Sequence, residues 1–130
     1  PRVGLRDGRQ AWLALTAEDV IDPDLPICDP HHHFYFRRLD RIPYHNYHIE
    51  DLYGDLNSGH NVVSTVFVEA RAMYRPDGPE EMRPVGEVEF VQGMAAAGAN
   101  GVYGTARAAA ANVGNEKLNR RKRVEPVLQA

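Results

Sequence analysis

Apolar positions along the chain repeat with two different periods, and each period predicts a kind of element. Near the amino end, Trp12, Leu13, Leu15 and Val20, with Glu18 and Asp19 among them, suggest a short helical lead-in over 10–20. The segment Asp22-Pro23-Asp24-Leu25-Pro26 interrupts it, because proline fixes its own φ and restricts the residue before it. Residues 26–29 read as a first strand. Ile49, Leu52, Tyr53 and Leu56 recur at helical spacing, and Ser58-Gly59 supplies a closing signal. Residues 61–70 are rich in β-branched side chains and nearly all apolar, the composition of a parallel strand buried on both faces. After the turn chemistry of Arg75-Pro76-Asp77-Gly78, a helix begins near Pro84 and carries Val85, Val88, Val91 and Ala95 on one stripe. Residues 107–113 read as a third strand, although their alanine content also suits a helix. The remainder reads as a loop leading into a further helix.

Strand, helix, strand, helix, strand predicts parallel pairing through crossovers, and in such sheets chemistry collects at the carboxyl ends of the strands. The first strand ends in Ile27-Cys28-Asp29-Pro30-His31-His32-His33-Phe34. In extended chain, Asp29, His31 and His33 share one face and Cys28, Pro30 and His32 the other. Two imidazoles one residue apart can reach the same ion, and an ion so held makes a nucleophile from water near neutral pH. A surface loop, or core histidines each satisfied by a hydrogen bond, would also account for the run. His32 points away in this reading and is structural. At the end of the second strand, Glu69 follows Thr65 and Phe67 on one face. A salt bridge to Arg71 or Arg107 competes there with a catalytic role, since an unpaired buried carboxylate is costly.

Composition narrows the classes. The 130 residues suffice for one domain with a core, 43% of them are hydrophobic, 25% are charged and the formal charge is −3, with no nucleic-acid or membrane signature. No apolar run approaches the ~20 residues of a spanning helix, and the charged start does not read as a secretory signal. The single cysteine, Cys28, excludes an internal disulfide and favours a reducing, cytoplasmic setting; opposite Asp29, it reads as a small buried hydrophobe. The chain opens on Pro1 and closes on Val127-Leu128-Gln129-Ala130, a helix-compatible stretch without a stop signal, so both ends read as cut.

Three segments in order carry a resemblance: Asp29-Pro30-His31-His32-His33-Phe34; residues 59–70 followed by Met73-Tyr74-Arg75; and Val85-Gly86-Glu87-Val88-Glu89-Phe90-Val91. Together they resemble the amino-terminal part of amidohydrolase family 2, the metal-dependent TIM-barrel hydrolases. The resemblance implies an α/β fold, a partial (β/α)8 TIM barrel comprising its first three β/α units, in a single domain over 1–130 truncated at the carboxyl end. It implies metal-assisted attack of water on a lactone, ester or amide carbonyl, with nonoxidative decarboxylation as an alternative in the same family. His31 and His33 become ligands of a divalent metal, zinc by choice, Glu69 the catalytic acid at the mouth of the second strand, and Asp29 a support that orients the loop or a histidine. A complete barrel needs ~250 residues, and the family's later ligands, a histidine and an aspartate, have no counterpart here. The fragment alone is therefore expected to be inactive. A noncatalytic half-barrel serving as a structural or interaction piece is the rival.

Tyr74 and Arg75 could hold a small substrate bearing a carboxylate, because guanidinium matches that group's planar geometry, or they could simply be solvated. His45 and His48 suit a surface or substrate loop better than a ligand pair, and His60 precedes the second strand at the end away from the site. The basic run Asn119-Arg120-Arg121-Lys122-Arg123 reads as a solvated face, not a nucleic-acid patch. Unpaired edges of an unfinished parallel sheet favour self-association into a homo-oligomer.

Overall fold

Three parallel strands in the order β1-β2-β3 frame the computed structural model, which describes residues 11–36, 46–115 and 125–130. β1 is Ile27–His32, β2 is Val62–Val68 and β3 is Arg107–Val113. Helix α1, Ile49–Leu56, connects β1 to β2, and helix α2, Val85–Ala99, connects β2 to β3; a short helix α3, Glu125–Leu128, ends the chain. Each neighbouring pair of strands is thus a βαβ unit, the arrangement that parallel pairing requires. The lead-in is reduced to a helical turn over 11–14, and Trp12, Leu15 and Ile21 remain exposed. The expected basic run at 119–123 and His45 lie outside the described residues. Among the described residues, no helix is long and apolar enough to cross a membrane.

The core lies between the sheet and the two crossover helices. Ile49, Leu52, Tyr53 and Leu56 present the i, i+3, i+4, i+7 face of α1 to Phe67 of β2, Val91 of α2 and Ala106, Ala108 and Ala109 of the β3 segment. Each large apolar side chain so buried contributes about 1.5–3 kcal/mol. Phe34 stacks on Phe67 with ring centroids 5.8 Å apart, and Phe90 meets Phe34 edge-on. Tyr53 crosses the core to donate its hydroxyl to the Ala106 carbonyl at 2.5 Å. That path needs Gly98, where a Cβ would come within 2.9 Å of the Tyr53 hydroxyl, and Gly104, where it would come within 3.0 Å of the ring. The start of α1 is fixed by Asp51, whose carboxylate accepts the His48 backbone N–H at 3.0 Å.

Three expectations change. β2 is buried on one face only among the described residues: Thr65 and Phe67 face the helices, whereas Ser64, Val66 and Val68 stay partly exposed. An apolar run reports the burial a strand can take, not the layers that cover it. Cys28 is likewise exposed instead of buried. On α2 the inward stripe is not the valine series, since Val88 is exposed while Val85, Gly86, Glu87, Val91 and Gly98 are buried. The helix is turned so that the Glu87 carboxylate faces inward, where two backbone N–H groups bind it.

β3 is a strand over the expected residues despite its alanines. Its register against β2 slips between Ser64 and Val66, and Ala109 there adopts φ 47° with its N–H donated to Thr65 Oγ1 at 2.9 Å. Small side chains suit this crowded bulge and leave a cavity of about 160 Å³ between α2 and β3.

Candidate metal centre at the strand mouth

β1 loses regular register at its carboxyl end, where Asp29 lies opposite Thr65 and His32 opposite Phe67, three residue steps against two. Pro30 sits in this irregular stretch, where its missing N–H donor is least costly. The Asp29 carboxylate accepts the His31 backbone N–H at 3.0 Å and so shapes the turn that aims the histidines. His32 enters the core, 7% exposed, with its ring against Phe34 and Phe67. Among the described residues, neither of its ring nitrogens has a hydrogen-bond partner, and burial holds its pKa below the usual histidine range.

His31 and His33 turn to each other. Their rings meet edge to face with centroids 4.8 Å apart, and their Nε2 atoms are 3.1 Å apart. His33 Nδ1 lies 2.7 Å from the carbonyl oxygen of Val68, so Nδ1 carries the proton and donates. Its Nε2 is then an acceptor, and at 3.1 Å it takes a hydrogen bond from His31 Nε2–H, a proton that a shared ion would displace. Two nitrogen ligands of one tetrahedral ion, each about 2.0–2.1 Å from it, lie roughly 3.3 Å apart. The pair is therefore close to the spacing that a shared ion demands, and the bond from Nδ1 to a carbonyl is the usual orientation device for a ligating imidazole. Among the described residues, no group of three His, Cys, Asp or Glu side chains converges as a metal site.

Glu69 extends the ladder one step past β2, its N–H donated to the Val113 carbonyl at 2.9 Å. Among the described residues, its Oε2 is buried without a hydrogen-bond partner, and neither Arg71 nor Arg107 pairs with it. The Tyr74 hydroxyl is also buried and makes no well-formed hydrogen bond among the described residues; burial, then the charges of Glu87 and Glu69, push its pKa up, against the opposing influence of the nearby Asn115 side chain. Arg75 instead turns to α2, where its Nε and Nη2 bind both oxygens of Glu89 in a surface ion pair. His48 stands at the start of α1 with its ring 4.2 Å from that of Phe36, and His60 is exposed at the amino end of β2.

Glu87 was not singled out as a site residue from the sequence. It is 2% exposed, and its Oε1 accepts the N–H groups of Ala70 at 3.0 Å and Ala72 at 2.7 Å. Burial raises its pKa, those two bonds lower it, and the charge of Glu69 raises it again, for a net upward shift. The available signal was its place four residues before Val91, which sets a carboxylate at helical spacing from a core valine. Asn112 of β3, opposite Phe67, is a second surprise, with both side-chain polar atoms buried and unpartnered. Orphaned polar atoms of this kind are uncommon in folded chains, and four such residues, His32, Glu69, Tyr74 and Asn112, belong to the carboxyl-end half of the sheet and the loop after β2. No family model, curated protein or solved structure matches this chain.

Proposed function

We propose that the chain forms the opening β/α units of a metal-dependent barrel hydrolase of the amidohydrolase family 2 type, with His31 and His33 as two ligands of a divalent ion, zinc by preference. The observation that carries this reading is the 3.1 Å approach of the two Nε2 atoms, with the His33 tautomer set by the Val68 carbonyl. The partly exposed second face of β2 also suits a sheet that continues around a barrel interior. Further ligands would come from outside the described residues.

When bound, the ion supplies Lewis-acid polarisation of a substrate carbonyl and makes water more acidic. The chain's own groups do the rest. Asp29 holds the His31 turn, and the Val68 carbonyl holds the His33 ring. Glu69, with an unpartnered carboxylate oxygen, takes or returns a proton. Tyr74 donates to a polar group of a small substrate, and Arg75 joins it only by giving up Glu89.

Zinc titration followed by calorimetry tests the reading. One equivalent should bind weakly, because two imidazoles leave a tetrahedral shell half filled. Binding should vanish in His31→Ala and in His33→Ala and survive His32→Ala. Equal binding by all three variants would place the ion elsewhere and end the proposal.

A further inference from the structure

We propose that Glu87 is a positioning residue: its buried carboxylate clamps the loop after β2 to the first turn of α2 and so holds Glu69 and Tyr74 at the strand mouth. The importance of those two groups rests on the reading of the mouth as an active site; the clamp itself does not.

One carboxylate oxygen accepts two N–H groups, those of Ala70 and Ala72, from a segment 15–17 residues earlier in the chain. For alternate N–H groups to converge on one atom, the residue between them must turn sharply, and Arg71 does so at φ 58°. Met73 follows at φ 55°. Neither is glycine, and L side chains resist this region of backbone space, so the conformation persists only where its surroundings impose it. The surroundings are all in the same turn of the chain. A Cβ on Gly86 would lie 2.5 Å from the Met73 carbonyl oxygen and 2.9 Å from the Arg75 nitrogen, so the loop rests directly on the α2 backbone. Arg75 N–H donates to the Arg83 carbonyl at 2.9 Å, and the Arg75 guanidinium reaches Glu89.

The fastened segment is bracketed by mouth groups. Glu69 immediately precedes Ala70, and Tyr74 sits between the residues that touch Gly86. Glu87 itself is almost fully removed from solvent, which leaves it no open side from which to meet a substrate. Its effect passes through the loop. An acceptor oxygen in that place is what the loop requires, and the negative charge is not.

Two substitutions separate acceptor from charge. Glu87→Gln keeps an oxygen for both N–H groups; Glu87→Ala removes it. Amide exchange followed by NMR on the whole chain should show Ala70 and Ala72 protected in the native chain and in Glu87→Gln, and exchanging at least tenfold faster in Glu87→Ala, with Phe67 unchanged. The Tyr74 ring resonances should move toward solvent-exposed values in Glu87→Ala and return in Glu87→Gln. Gly86→Ala, which keeps the carboxylate but pushes the loop off the helix, should reproduce the Glu87→Ala pattern if the glutamate variant does not fold. Continued protection of Ala70 and Ala72 in Glu87→Ala, or an unmoved Tyr74 ring, would overturn the proposal, as would loss of protection in Glu87→Gln. None of these readouts uses a metal or a substrate, so they decide the clamp even where zinc titration rejects the active-site reading.

Discussion

His33 and Val68 are joined across the sheet mouth: the imidazole Nδ1 lies 2.7 Å from the Val68 main-chain carbonyl, 35 positions along the chain. The acceptor is backbone at the last residue of β2, so its position is set by the sheet and not by a mobile side chain. The contact fixes the ring plane and the tautomer together, and it leaves Nε2 to face His31. We expect long-range proton–nitrogen NMR at slightly alkaline pH to show His33 with its proton on Nδ1 and an unprotonated Nε2. A predominant Nε2–H form would mean that the ring is not held by Val68.

His32, between His31 and His33 in sequence, should instead set the acid limit of stability. Burial lowers its pKa from the ordinary 6.5, so the folded chain keeps the ring neutral where the unfolded chain would charge it. The corresponding stability is complete above about 6.5 and is lost as pH falls through that value toward the lower folded one. Denaturation midpoints of the native chain should therefore drop as pH falls below about 6.5, whereas His32→Leu should flatten part of that decline. Parallel curves for the two proteins would show that His32 titrates normally.

What the sequence reveals and what it hides divide along physical lines. β2 and α1 are legible because β-branched residues and an i, i+3, i+4, i+7 series each bury a continuous face, whereas β1 is legible only at its start, since it runs past the expected end at Asp29 to His32. The opposition of His32 to His31 and His33 follows from strand alternation, and it survives the irregular register after Asp29. α2 shows the limit. Periodicity weighs Val88 above Glu87, yet two backbone N–H groups make a buried carboxylate the better occupant of the inward face. Those donors are exposed by Arg71 and Met73 in left-handed conformations, and neither residue type announces such a turn. Three strands define a parallel sheet in the order β1-β2-β3, and their pairing alone does not dictate closure into a barrel.

The core carries its own test at Tyr53. Its hydroxyl is buried and donates to Ala106 at 2.5 Å, within a space cleared by Gly98 and Gly104. Tyr53→Phe keeps the ring and takes this donor away from the Ala106 carbonyl. The expected loss is about 1–2 kcal/mol in urea unfolding, with the dependence on denaturant unchanged. A neutral or stabilising outcome would show that water reaches that carbonyl.

Glu87 should leave a signature in the pH dependence of folding that is opposite to that of an ordinary salt-bridged acid. Its carboxyl is held above the ordinary 4.5, because burial outweighs the help of the Ala70 and Ala72 N–H groups and Glu69 adds a like charge. The folded chain therefore binds this proton more tightly than the unfolded chain does. Stability from this group is fully present below about 4.5 and declines as pH rises through the raised folded value, after which it is constant. Glu87→Gln keeps an acceptor for the loop and has no charge to bury, so it escapes that decline. We expect the difference in melting temperature between Glu87→Gln and the native chain to shift in favour of glutamine from acid toward neutral pH. A shift in the other direction would mean that the two N–H groups stabilise the carboxylate by more than burial costs it, and that Glu87 is ionised more readily in the folded chain than in the unfolded one.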